Sequence, residues 1–258
     1  MGVAMSEEFV AGDRPGYFSI GTALGRAFSL FGEEIGKYMV LGIVLMSPSV
    51  IYALVTAKHA AGMSAVQVMK TAFETGAVAG LVNLVLQVVL QATVLYGAFQ
   101  QMQGHRFDLA ESLKVGFSRI PALLGLTLLL AFAICVGAIL LIVPALMILC
   151  ACYVAVPVCV LERPGIFGSL SRSRELTKGM RWQIFGLVLV MFVCGAAAGG
   201  LLLYIGRVVG GPMVGIVAQF VWQAIASSFG AVLITVVYHD LRISKEGVNV
   251  GEIASVFD

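Results

Sequence analysis

Between Arg119 and Glu162 the chain runs for 42 residues without an Asp, Glu, Lys, Arg or His. As one helix this run would be roughly 63 Å long at 1.5 Å per residue. That is about twice the hydrocarbon core of a bilayer, which is roughly 30 Å thick. The run must fold back on itself, and Pro144 in Ile142-Val143-Pro144 is the expected corner. Four further charge-free runs, 38–57, 75–104, 182–206 and 208–238, flank it. The chain therefore reads as all-α, a polytopic membrane protein with six spans at about 38–57, 76–103, 121–142, 145–161, 182–205 and 213–238. Only 12% of residues are charged and mean hydropathy is +1.00. A soluble domain carries about 25% charge, so lipid is the main solvent and no separate soluble catalytic domain fits.

Three segments follow from this: a flexible cytoplasmic N-terminus at 1–16, a transmembrane domain at 17–239 and a cytoplasmic tail at 240–258. Residues 1–16 carry Glu7, Glu8, Asp13 and Arg14 and no apolar h-region, so the first span is expected to be an uncleaved signal-anchor. Thirteen of the sixteen Lys and Arg fall on the side that holds both termini; Lys58, Lys70 and Arg207 fall on the other. The positive-inside rule places both termini in the cytoplasm. Cys135, Cys150, Cys152, Cys159 and Cys194 all lie in apolar runs without metal-ligand spacing, so neither a metal nor another cofactor is expected.

Similar segments precede the odd-numbered spans: Ala23–Ser29, Ser112–Ser118 and Ser169–Glu175. In the first two, apolar residues recur at helical spacing, as in amphipathic helices lying in an interface. The expected plan is three transmembrane hairpins, each preceded by an amphipathic interfacial helix. Aligned on Leu24, Leu113 and Leu170, the places of Phe28 and Phe117 are taken in the third segment by Arg174. Three roles are open for this arginine: to snorkel from a rotated helix, to contact a substrate, or to tie the helix to Glu162 or Asp240. The last gives the sharpest expectation, that Arg174 bonds Glu162 or Asp240 and that Arg172→Leu is mild.

Asn83, Gln87 and Gln91 form an i, i+4, i+8 stripe in span 2, and Gln219, Gln223 and Ser227 form another in span 6. Unpaired amides are costly in lipid. The stripes either bond helices together or line a polar cavity. No charged residue lies deep in a span, which disfavours ion-coupled transport. Gly76-Gly80, Gly195-Gly199 and Gly211-Gly215 have close-packing spacing. Pro48 and Pro157 predict kinks, and Tyr38, Trp182 and Tyr238 are interfacial anchors. No catalytic motif is present, and His59, His105 and His239 fall at three different span ends. Arg172, Lys178 and Arg181 are candidate contacts for anionic headgroups.

Tyr153-Val-Ala-Val-Pro157, Glu162, Ser169 to Gly179, Trp182 and the ending Tyr238-His-Asp-Leu-Arg242 resemble the membrane domain fused to some bacterial glycerophosphoryl diester phosphodiesterases, and its stand-alone relatives. The resemblance implies a six-helix inner-membrane protein and no activity. The phosphodiesterase domain itself, with its metal-binding carboxylates and histidines, has no counterpart in the sequence. The first expectation is a non-catalytic module organising lipids or protein partners, including a second copy. The second is a transporter or lipid-handling channel lined by the amide stripes. The third is a headgroup-acting enzyme using Glu162 and Asp240. No nucleic-acid partner is expected.

Overall fold

The computed structural model describes residues 19–60 and 63–246. All regular structure among them is helical. In chain order the helices are α1 (Ile20–Glu33), α2 (Ile35–Ala60), α3 (Ala65–Met102), α4 (Leu109–Ser118), α5 (Ile120–Leu140), α6 (Ile142–Ala151), α7 (Ala155–Leu161), α8 (Gly165–Thr177) and α9 (Arg181–Glu246). Six segments are long and apolar enough to cross a membrane: Ile35–Thr56, Thr75–Met102, Ile120–Ile139, Ile142–Leu161, Arg181–Gly211 and Met213–Glu246. The protein is an all-α polytopic membrane protein. The expected 1–16 segment and positions 247–258 of the expected tail lie outside the described residues. Residues 240–246 continue the last helix instead of starting a tail.

One corner lies off its expected residue, and another, in the expected gap between spans 5 and 6, is made by a glycine read for packing. The turn between α5 and α6 is at Leu141, whose extended backbone (φ −170°, ψ 148°) breaks the helix. Pro144 sits three residues later in the first turn of α6, where a missing N–H costs no hydrogen bond. Gly211, read as a packing glycine, is the corner of α9 at φ 77°, a backbone state that a Cβ disfavours. Pro48 stays inside α2. It frees the Val44 carbonyl, and the Ser47 hydroxyl donates to that oxygen at 2.8 Å.

The helices fall into three units, each a short helix followed by two crossings: α1 with α2 and α3, α4 with α5 and α6–α7, and α8 with the two arms of α9. The second crossing of each unit forms the centre. Between 39% and 50% of the most apolar stretch is buried there, against 11–17% in the first crossings. The short helices link the units in a ring. α4 packs on α3, where Gly116 meets Thr93. α8 packs on α6 and α7, where Ser173 donates to the Ala151 carbonyl at 3.0 Å. α1 packs on the second arm of α9 through Phe28 and Phe31 against Phe229. Each short helix thus rests on the second crossing of the unit before it, and the first helix closes the circle on the last unit.

The repeat also appears residue by residue. Ala23, Ser112 and Ser169 are buried at one aligned position, and Ala27, Gly116 and Ser173 at the position four residues on. Only small residues allow a helix to lie this close to its neighbour. Phe28, Phe117 and Arg174 are all exposed at the next position. An outward site near a membrane boundary accepts an aromatic ring or a guanidinium alike, so Arg174 needs no rotated helix to explain it.

Candidate functional site

The face bearing the short helices concentrates the polar chemistry. Span 4 is interrupted here between α6 and α7. The Ala155 N–H turns to the Cys152 carbonyl at 3.1 Å, which leaves Ala151 without its helical donor. Ser173 and Thr177 hydroxyls donate to that carbonyl at 3.0 and 3.1 Å. Ser169, Ser173 and Thr177 are fully buried and spaced four apart. The inner face of α8 is therefore a hydroxyl stripe, of which Ser173 and Thr177 satisfy the broken helix while Ser169 donates to the Gly165 carbonyl of its own helix at 2.6 Å.

Charged groups fasten each short helix to its neighbour. Arg26 of α1 donates to Asp240 at 2.8 Å. Arg172 of α8 donates to Glu162 at 3.2 Å and also pairs with Glu246. In the repeat alignment Arg26 and Arg172 hold the same position, two residues after Leu24 and Leu170. The second unit has Val115 there and uses Glu111 instead. That carboxylate accepts from the Tyr96 hydroxyl and the Gln100 amide, each at 2.9 Å. Glu162 also accepts from the Tyr238 hydroxyl at 2.7 Å, and Arg242 holds Glu246 at 2.8 Å.

These contacts overturn the expected Arg174 tether. Arg174 is exposed and forms no ion pair among the described residues; Arg172 takes Glu162 and Arg26 takes Asp240. Nor is Arg172 a free headgroup contact, because its guanidinium is spent on Glu162, Glu246 and, at 3.9 Å, Glu175. Lys178 is exposed. Arg181 is half-buried, and its Nε has no protein partner. Arg119 leaves a buried Nε in the same state. Tyr38 and Tyr238, read as interfacial anchors, are fully buried. Tyr38 stacks between Phe31 and Phe107 and donates to Gln101 at 2.6 Å. Trp182 does face outward.

The two amide stripes part company. Asn83 donates to Ser49 at 2.7 Å, joining α3 to α2. Ser227 donates to Ala224 within its own helix at 3.3 Å. Gln87 and Gln91 are half-buried. Gln219 and Gln223 line an open groove of about 520 Å³ between the arms of α9, whose other walls include Met191, Phe192, Gly195, Gly199 and Trp222. None of the α3 amides lines this groove. Among the described residues, no group of three His, Cys, Asp or Glu side chains is placed to hold a metal ion. The hydroxyl stripe of α8 and the Arg26–Asp240 pair escaped the sequence reading. The i, i+4, i+8 spacing of Ser169, Ser173 and Thr177 was the signal for the first. The shared repeat position of Arg26 and Arg172 was the signal for the second.

No protein-family model, curated protein or solved structure matches the chain.

Proposed function

We propose that the protein is a non-catalytic module of a bacterial inner membrane that organises lipids or protein partners. The short-helix face and both termini lie in the cytoplasm on this reading, and the chain is a stand-alone relative of the phosphodiesterase-linked membrane domain. The observation that carries it is how the charges are used. Glu162, Asp240, Glu246, Arg26 and Arg172 are paired with one another, so they clamp helices instead of converging on an open pocket. The acids that a headgroup-acting enzyme would need are thereby occupied. Arg106, Lys114, Arg163, Arg174 and Lys178 stay exposed around the same face. Each would add about 1 kcal/mol of attraction to an anionic leaflet.

Three measurements test this. In a background without native cysteines, an impermeant thiol reagent applied to intact cells should label Met63→Cys and leave Ser244→Cys untouched. In mixed vesicles, native mass spectrometry should find anionic phospholipid retained over zwitterionic lipid. Arg163→Gln, Arg174→Gln and Lys178→Gln together should weaken that preference. Purified protein in vesicles should neither move labelled lipid between leaflets nor release headgroups. Lipid transfer that Gln219→Leu abolishes would replace the module reading with the channel.

A further inference from the structure

Among the described residues the two amides in the α9 groove form no hydrogen bond. The Gln219 Oε1 is buried without a hydrogen bond, and Gln223 is exposed without one among the described residues. Both sit well inside the segment Met213–Glu246, six and ten residues beyond its start. At 1.5 Å per residue the deeper amide lies about 15 Å along the helix. An acyl chain offers such a group neither a donor nor an acceptor, and a bare amide in hydrocarbon is costly.

The surroundings restrict what can supply the missing bonds. Gly195 and Gly200 have open space where a Cβ would point, and Ala196 lies between them on the groove wall. Another helix backbone can therefore approach closely here. The first arm of α9 is the least covered crossing, with 11% of its most apolar stretch buried and Phe192 and Val193 exposed beside the groove. A carboxamide carries a donor and an acceptor together. It is thus self-complementary across a two-fold axis, where the same patch faces itself.

We infer that the α9 groove is the interface of a homodimer, in which the exposed Gln223 of one copy exchanges hydrogen bonds with Gln223 of the other, and Gln219 joins by turning its Oε1 out of the buried position it holds in the single chain. The inference rests on the module reading and deepens it by naming the partner as a second copy of this chain. Gly195, Ala196 and Gly200 set the approach of the two α9 hairpins. The amides supply the polar bonds that lipid withholds.

Subunit counting by single-molecule photobleaching, with the full labelled chain diluted in phospholipid vesicles, tests the inference. The wild type should show two-step bleaching that gives way to one step only on strong dilution. Gln219→Leu with Gln223→Leu should weaken association about tenfold, from several lost interhelical bonds. Gly195→Leu or Gly200→Leu should abolish it by blocking the approach. Gly80→Leu, at an open glycine of α3, should leave it intact. Thermal unfolding in the same lipid identifies any variant that has lost its fold. Single steps at every dilution overturn the dimer, as does a dimer indifferent to the glycine and glutamine changes. A monomer that retains a phospholipid, and loses it with Gln219→Leu and Gln223→Leu, makes the groove a lipid site and also overturns it. A monomer that moves no lipid refutes the dimer and leaves the module standing, whereas lipid transfer refutes the module.

Discussion

The Tyr238 hydroxyl donates to Glu162 Oε1 at 2.7 Å across 76 residues of sequence, while Arg172 holds the other carboxylate oxygen at 3.2 Å. One carboxylate thus joins the end of span 4, the last helix and α8. Arg172 extends the junction to Glu246, which is also tied to Arg242. The side chains of Arg172 and Glu162 are 29% and 22% exposed, so water screens the pair only in part.

Arg172→Leu should therefore cost about 2 kcal/mol, because it strips charge-assisted hydrogen bonds from two carboxylates. Arg174→Leu, two residues along and exposed, should cost under about 0.5 kcal/mol. Unfolding free energies in bicelles check both. Equal losses would mean that the clamp contributes nothing special.

Arg26 and Asp240 are the equivalent clamp of the first short helix. Arg26→Asp or Asp240→Arg alone places like charges side by side and should loosen α1. The double reversal should recover part of the loss, with a coupling of about 1 kcal/mol for a pair that is partly exposed. A double-mutant cycle reads this directly. Two losses that merely add would show that α1 is held by its apolar contacts alone.

The Ala151 carbonyl has two hydroxyl donors, Ser173 and Thr177. Either Ser173→Ala or Thr177→Val should be tolerated, since the other hydroxyl still satisfies the oxygen. Together they leave a buried acceptor bare, which costs about 1–3 kcal/mol. The signature is non-additivity in the unfolding free energy. Strict additivity would mean that the two hydroxyls do not share one acceptor.

How much of this was legible follows from what each feature depends on. The crossings were readable because a charge-free run of 20 or more residues has few alternatives in water or lipid. The repeat was readable because similar segments with apolar residues at helical spacing precede the odd-numbered spans, whereas the small residues that make the contacts, Ala23/Ala27, Ser112/Gly116 and Ser169/Ser173, show only in the packing. The Leu141 corner was not, because proline is comfortable in the first turn of a helix and so marks a boundary only to within a few residues. The partner of Glu162 was hidden for a different reason. Which of Arg172 and Arg174 faces it depends on the rotation of α8. That rotation turns the Ser169, Ser173 and Thr177 stripe inward, and the Ala151 carbonyl that Ser173 and Thr177 meet is freed by a helix break in another segment of the chain. The amide stripes are alike in spacing, yet only Gln219 and Gln223 line the groove, because spacing fixes the face of one helix and not its neighbour.

Gly97 illustrates a contact of the same hidden kind. A Cβ there would overlap the ring of Phe107, a residue that lies between α3 and α4. The ring cannot easily withdraw. It is buried, it stacks on Tyr38 with centroids 5.2 Å apart, and its own carbonyl accepts from Lys37 Nζ at 3.2 Å. Tyr38 is held in turn by Phe31 and Gln101. Overpacking against so fixed a neighbour costs about 1–3 kcal/mol, so Gly97→Ala should destabilise despite the better helix propensity of alanine. Phe107→Leu removes the obstructing ring edge. It should lose stability alone, through lost stacking, but should make Gly97→Ala nearly neutral in combination. Unfolding free energies of the four proteins in bicelles decide the matter. A Gly97→Ala protein as stable as wild type, or a loss unchanged in the Phe107→Leu background, would show that this ring does not dictate the glycine.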